Sequence, residues 1–226
     1  MSSLNIEYLT YDNIRFNFKD LFEGFFGDLT QLNIEKKSYD ICGTDNIQIV
    51  EDAYKNVINT MHFKKVWYSF IYFVVKPYFN NEKILIQKLP SINIIPSGCE
   101  VKYVDETVNG YNLHLDSYEP FCHPLFEQNF WMPMTETDEM NDLYYVDNDK
   151  KIRVDAELNQ IFRFGNDVVH GNKVKNESHT RVSIDFKALP LSDYDRNLIS
   201  DKKIIKRGKE HIQKDWYSTK HFYMEL

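Results

Sequence analysis

Residues 83–95 read KILIQKLPSINII, two isoleucine-rich runs, Lys83–Lys88 and Ser91–Ile95, separated at Pro90 and closed by Pro96-Ser97-Gly98. β-Branched side chains suit a pleated surface, and proline ends a hydrogen-bonded ladder, so both runs are predicted strands. The same texture continues downstream. Glu100–Val104, Gly110–Leu115, Asn129–Thr135, Asp142–Val146, Val168–His170 and Thr180–Leu189 are further short candidates with turn residues between them. Strands at this spacing predict a β-sandwich or barrel rather than a parallel α/β sheet.

Upstream the pattern is helical. Thr44 or Asp45 is expected to cap a helix starting near Ile47, with Val50, Tyr54, Val57, Ile58 and Met61 as its apolar stripe. The helix is expected to break near His62 and continue towards Pro77. Residues 1–45 read as short apolar runs between turns, and 191–226 as partly helical, partly irregular. No repeat or linker interrupts the chain, so residues 1–226 are expected to form one domain. It would have a mostly helical part (1–82), a β core (83–190) and a C-terminal segment (191–226).

Composition narrows the function. With 27 Lys plus Arg against 34 Asp plus Glu, the net charge of −7 offers phosphate backbones no general attraction, and no nucleic-acid partner is expected. The basic run Lys202, Lys203, Lys206, Arg207 and Lys209 is expected on a solvated helix face, with a docking surface as the alternative. Trp67–Val75 spans nine residues, far short of the roughly 20 apolar residues a membrane helix needs, so no membrane partner is expected. Cys42, Cys99 and Cys122 form no CxxC pair, and the N-terminus lacks a charged-then-apolar leader; both point to a cytoplasmic protein. Walker A, GxSxG and HExxH motifs are absent. The acidic residues Glu136, Asp138, Glu139 and Asp142 lack EF-hand spacing. Oligomeric state is not legible.

The chemistry lies in YNLHLDS (Tyr111–Ser117). On a strand, residues two apart share a face, so His114 and Asp116 can project together. FGNDVVHGN (Phe164–Asn172) supplies His170, and Arg181 opens RVSIDF. Two imidazoles and a carboxylate on one face of an octahedral ion make the facial triad of non-haem Fe(II) oxygenases, leaving positions for a chelating 2-oxo acid and O2. Arginine pairs bidentately with a carboxylate and would anchor the far end of that acid, with Ser183 on the same strand face as a second donor. Single buried histidines are usually core residues; it is the combined spacing that favours the metal. His179 is the substitute for His170, and Arg163 the rival of Arg181, although a surface ion pair is the default for Arg163. His123, between Cys122 and Pro124, reads as a loop residue.

The segment His114–Phe186, with its HxD…H…R pattern, resembles the Fe(II)/2-oxoglutarate dioxygenase superfamily. NDVVHGN…TRVSIDFK, QKLPS (Gln87–Ser91) and WMPMT (Trp131–Thr135) resemble its phytanoyl-CoA dioxygenase-like branch and, more narrowly, StrG-like proteins. The resemblance spans roughly residues 87–190. It implies a mainly β fold with flanking helices around a double-stranded β-helix (jelly-roll, cupin-like) core. It implies Fe(II) on His114, Asp116 and His170, and 2-oxoglutarate held by Arg181 and Ser183. It also implies O2 as oxidant and a small-molecule substrate. Alternation adds Asn112, facing with His114, and Asn172, facing with His170; Trp131 and Tyr118 are expected in the substrate wall. Halogenating relatives leave the carboxylate position free, whereas Asp116 fills it here. Two alternatives remain, a cupin-like metalloenzyme that does not use 2-oxoglutarate and a non-catalytic ligand-binding barrel.

Overall fold

The computed structural model describes residues 6–32, 38–40, 47–102, 107–118, 121–194, 202–206, 209–218 and 221–226. Thr44 and Asp45, Cys42 and Arg207 lie outside the described residues. The first third runs β1 (Ile6–Thr10), α1 (Phe18–Phe26), β2 (Ser38–Asp40), α2 (Ile47–Ala53) and α3 (Met61–Phe70). The β-rich part follows as β3 (Ile84–Gln87), β4 (Ser91–Ile95), β5 (Glu100–Lys102), β6 (Tyr111–His114), β7 (Gln128–Pro133) and β8 (Leu143–Asp147). It continues with β9 (Lys150–Arg153), β10 (Gln160–Gly165), β11 (His170–Lys173) and β12 (Arg181–Pro190). The chain closes with β13 (Lys203–Lys206), β14 (Lys209–Ile212), α4 (Gln213–Trp216) and β15 (Tyr223–Glu225).

Eight of these strands pair as a nested antiparallel set. β8 pairs with β9, β7 with β10, β6 with β11, and β4 with β12. Alternate pairs fall in opposite sheets. β10, β7, β12 and β4 lie in the larger one, which β1, β3 and β15 extend; β6, β11, β8 and β9 make the smaller one. That is a jelly roll, the double-stranded β-helix expected from the sequence.

Period-two alternation along β12 assigns its two faces. Val182, Ile184, Phe186 and Ala188 are fully buried in one cluster with Phe18, Phe22, Phe63, Trp67 and Phe70 of the helices. Trp67 meets Phe186 edge-on, with ring centroids 4.9 Å apart, and Phe130 stacks on Phe186 at 4.9 Å. Each fully buried aromatic of this kind contributes about 1.5–3 kcal/mol, which binds the helical layer to the outside of the larger sheet. Arg181, Ser183, Asp185 and Lys187 take the opposite face, towards the smaller sheet.

Several elements differ from the sequence reading. Helix α2 begins at Ile47 as expected, but the break falls at Asn59–Thr60 rather than His62, because the Thr60 hydroxyl accepts from the Phe63 amide at 3.2 Å and caps a new helix. The cap resets the stripe to Phe63, Trp67 and Phe70, leaving Met61 70% exposed. Residues 18–26, read as apolar runs and turns, form α1, where Asn17 accepts from the Asp20 amide at 3.1 Å and Phe18 and Phe22 are buried. The basic run is not on a helix. β13 and β14 form a hairpin, which lets Ile204 enter a cluster with Leu85, Tyr217 and Tyr223 while Lys203 stays outside, 3.0 Å from Glu210. Among the described residues no helix is long and apolar enough to cross a membrane.

Candidate metal centre

The last residue of β6 and the first of β11 are His114 and His170, and they are direct cross-strand partners. Their rings lie 4.5 Å apart between centroids. His170 Nδ1 bonds the Val168 carbonyl at 2.9 Å, which orients the ring and leaves Nε2 free for the site. Asp116 follows β6 by two residues, and its Oδ1 stands 3.5 Å from His114 Nε2 and 3.8 Å from His170 Nε2. One donor atom from each of the three residues lies within 4.8 Å of the others, as ligands of one ion would.

Their protonation suits a metal. Burial, then the neighbouring His114, pushes the His170 imidazole down to about 4. Burial alone would raise the Asp116 carboxyl, but the Lys187 ammonium and His170 hold it well below the usual carboxylate range. At neutral pH the pair offers a neutral imidazole and a carboxylate, the forms that bind metal.

Gly171 sets the spacing of the two histidine strands. A Cβ there would overlap the Asn112 carbonyl oxygen and stand 2.9 Å from its carbon, both on the backbone of β6. Gly171→Ala is therefore expected to push β11 from β6, costing about 1–3 kcal/mol in urea unfolding and weakening metal uptake. An unchanged urea midpoint would show that this contact does not fix the spacing.

The triad opens into a cavity of about 220 Å³, which Arg181, Trp131, Asp185 and Lys187 also line. Arg181 is 1% exposed; its Nη1 donates to the Asn141 carbonyl at 3.0 Å, its Nε has no partner, and Ser183 Oγ on the same face is also buried without one. Among the described residues no carboxylate lies within ion-pair distance of Arg181. Ser183 is outside the cavity lining, whereas the open Arg181 Nε beside the triad fits a carboxylate-bearing ligand, since unsatisfied buried polar groups are otherwise costly.

The other sequence candidates are placed as follows. Asn112 and Asn172 are cross-strand partners on β6 and β11, both buried and outside the cavity lining. Tyr118 is 68% exposed and also outside it. Arg163 pairs with Glu7 at 2.9 Å. His179 Nε2 bonds the Glu136 carbonyl at 2.7 Å, outside the lining, whereas His123 lines the cavity with its Nδ1 2.8 Å from Glu127. Lys187 and Asp185 were missed. The available signal was the alternation RVSIDFK, which puts four polar residues on one face of a strand whose other face is apolar.

The chain is similar to the streptomycin biosynthesis protein StrG of Streptomyces griseus, with 26% identity over 165 residues, 73% of this chain and 67% of that one. Among solved structures it is similar to an oxidoreductase of the 2OG-Fe(II) oxygenase family from Burkholderia pseudomallei. That match has 10% identity and a TM-score of 0.43, and covers 59% of this chain and 60% of the other. A further similarity is to the non-haem monooxygenase ThoJ in a nickel complex, with 13% identity, a TM-score of 0.35 and coverage of 48% and 45%. The chain spans less than two thirds of either solved structure, and the fold rests on the strand pairing above rather than on these superpositions. No family model matches the chain. His114, Asp116 and His170 make a two-histidine, one-carboxylate set, a donor combination that suits a non-haem Fe(II) ion.

Proposed function

We propose that the protein is an Fe(II)- and 2-oxoglutarate-dependent dioxygenase that hydroxylates a small polar metabolite and releases succinate and CO2. The observation that carries this reading is the open buried donor Arg181 Nε in the cavity that the triad lines; Ser183 Oγ, also without a partner, sits on the same face of β12 but outside the lining. Iron at the triad would supply the coupling of 2-oxoglutarate decarboxylation to oxidation of a C–H bond. The chain supplies the rest. His114, Asp116 and His170 hold the ion from rigid strand ends, Arg181 and Ser183 grip the distal carboxylate, and Trp131 walls the cavity against water. A space of about 220 Å³ lies below the roughly 300–1,000 Å³ of pockets for drug-sized ligands, which favours a small substrate. The similarity to a streptomycin biosynthesis protein supports a sugar, amino-sugar or nucleotide-linked intermediate as its class.

The test is an anaerobic titration with Fe(II) and 2-oxoglutarate, followed through the weak visible charge-transfer band of the chelate. The band should appear only with both present and vanish in His114→Ala. A folded wild-type protein without the band would sink the oxygenase reading. Iron uptake without any 2-oxoglutarate effect would leave a cupin-like metalloenzyme, and no uptake at all a binding barrel.

A further inference from the structure

We propose that Lys187 is a positioning residue that holds Asp116 so that a single carboxylate oxygen, Oδ1, faces the metal. The inference rests on the metal reading of the triad. Lys187 is 5% exposed, and its Nζ lies 2.9 Å from Asp116 Oδ2, while Oδ1 is the oxygen that faces the Nε2 atoms of both histidines. The ammonium thus occupies the oxygen turned away from the histidines. A carboxylate can bind an ion through one oxygen or two, and the second mode would consume a position that a chelating 2-oxo acid or O2 requires. With Oδ2 engaged by Lys187, only the first mode is open.

The lysine is itself anchored. Its Nζ donates to Asn129 Oδ1 at 2.6 Å, Asn129 Nδ2 donates to Asn166 Oδ1 at 2.7 Å, and Asn166 Nδ2 donates to Glu127 Oε2 at 3.0 Å and to the Pro124 carbonyl at 2.7 Å. Glu127, fully buried, also bonds His123 and the Tyr223 hydroxyl. A buried hydrogen-bonded chain therefore runs from the metal carboxylate across β12, β7 and the loop before β11 to β15. An ammonium this close to the site repels a bound cation, so attraction for the ion does not explain its place. Orientation does. Partners that orient a metal ligand are known to matter at this level, and their loss typically weakens metal binding about 10–100-fold.

The experiment is anaerobic Co(II) titration of the metal-free full chain, read by the visible spectrum of the bound ion, which reports its coordination number. Wild type should bind Co(II) and His114→Ala should not. Lys187→Met is expected to bind about 10–100-fold more weakly, with an altered spectrum, and Lys187→Arg should return the spectrum towards wild type. Should Lys187→Met fail to fold by circular dichroism, Asn129→Ala keeps the Lys187–Asp116 pair but frees the lysine, and should show the same spectral change in milder form. A folded Lys187→Met, or failing that Asn129→Ala, with wild-type spectrum and unchanged or tighter affinity overturns the inference while the metal reading stands. A wild type that takes up no Co(II) overturns both.

Discussion

Asp116→Ala is expected to destabilise the metal-free protein by about 3–5 kcal/mol, besides weakening metal uptake. Removing one member of a buried ion pair leaves the other charged and out of water. Lys187 is that other member, buried, with Asn129 as its remaining close partner and Asp185 4.0 Å away. Burial alone would push the Lys187 ammonium down, but Asp116 and then Asp185 hold it above its usual range, so the lysine stays charged while Asp116 is present. Urea unfolding in chelator should show the loss. The double variant Asp116→Ala/Lys187→Met should regain most of it, because the stranded charge goes with its partner. A loss below about 1 kcal/mol in the single variant, the range of solvated surface pairs, would mean that water reaches Lys187.

Arg181→Met should leave metal uptake intact and remove most 2-oxoglutarate affinity. The side chain takes no part in the triad, and its guanidinium is buried with an open Nε in the same cavity. Truncating one partner of a buried, hydrogen-bonded charge pair costs about 2–5 kcal/mol, which corresponds to roughly 30- to several-thousand-fold in dissociation constant. The anaerobic charge-transfer titration measures it directly. Unchanged 2-oxoglutarate affinity in a folded variant would remove Arg181 from the binding site.

The parts of this site that were legible in the sequence are those where local geometry suffices. Strand alternation predicted that His114 and Asp116 project together, and they do, although β6 ends at His114 and Asp116 follows in a turn; the resemblance over His114–Phe186 supplied His170 and Arg181. Lys187 was not legible because lysine is almost always solvated, and only the partners brought to it by the fold, Asp116 and Asn129, make its burial tolerable. Asn112, Asn172 and Tyr118 show the limit of alternation from the other side. It gives the face of a residue but not how far along the strand the cavity extends. In the helical layer the hydrophobic stripe was readable. Its break was misplaced by two residues because a threonine cap, rather than the apolar period, decides where α3 starts.

The nested strand pairing has a kinetic side. Closing a loop costs more entropy the longer the loop, so β8 and β9, separated by a two-residue turn, are the least expensive pair to form. By the same argument each later pair is expected to close around one already made, first β7 with β10, next β6 with β11, last β4 with β12. The histidines belong to the third of these steps. Zipping outward in this order would bring His114 to His170 only when half the barrel stands, so a newly folding chain would present its candidate metal ligands as a set late, after the walls that position them.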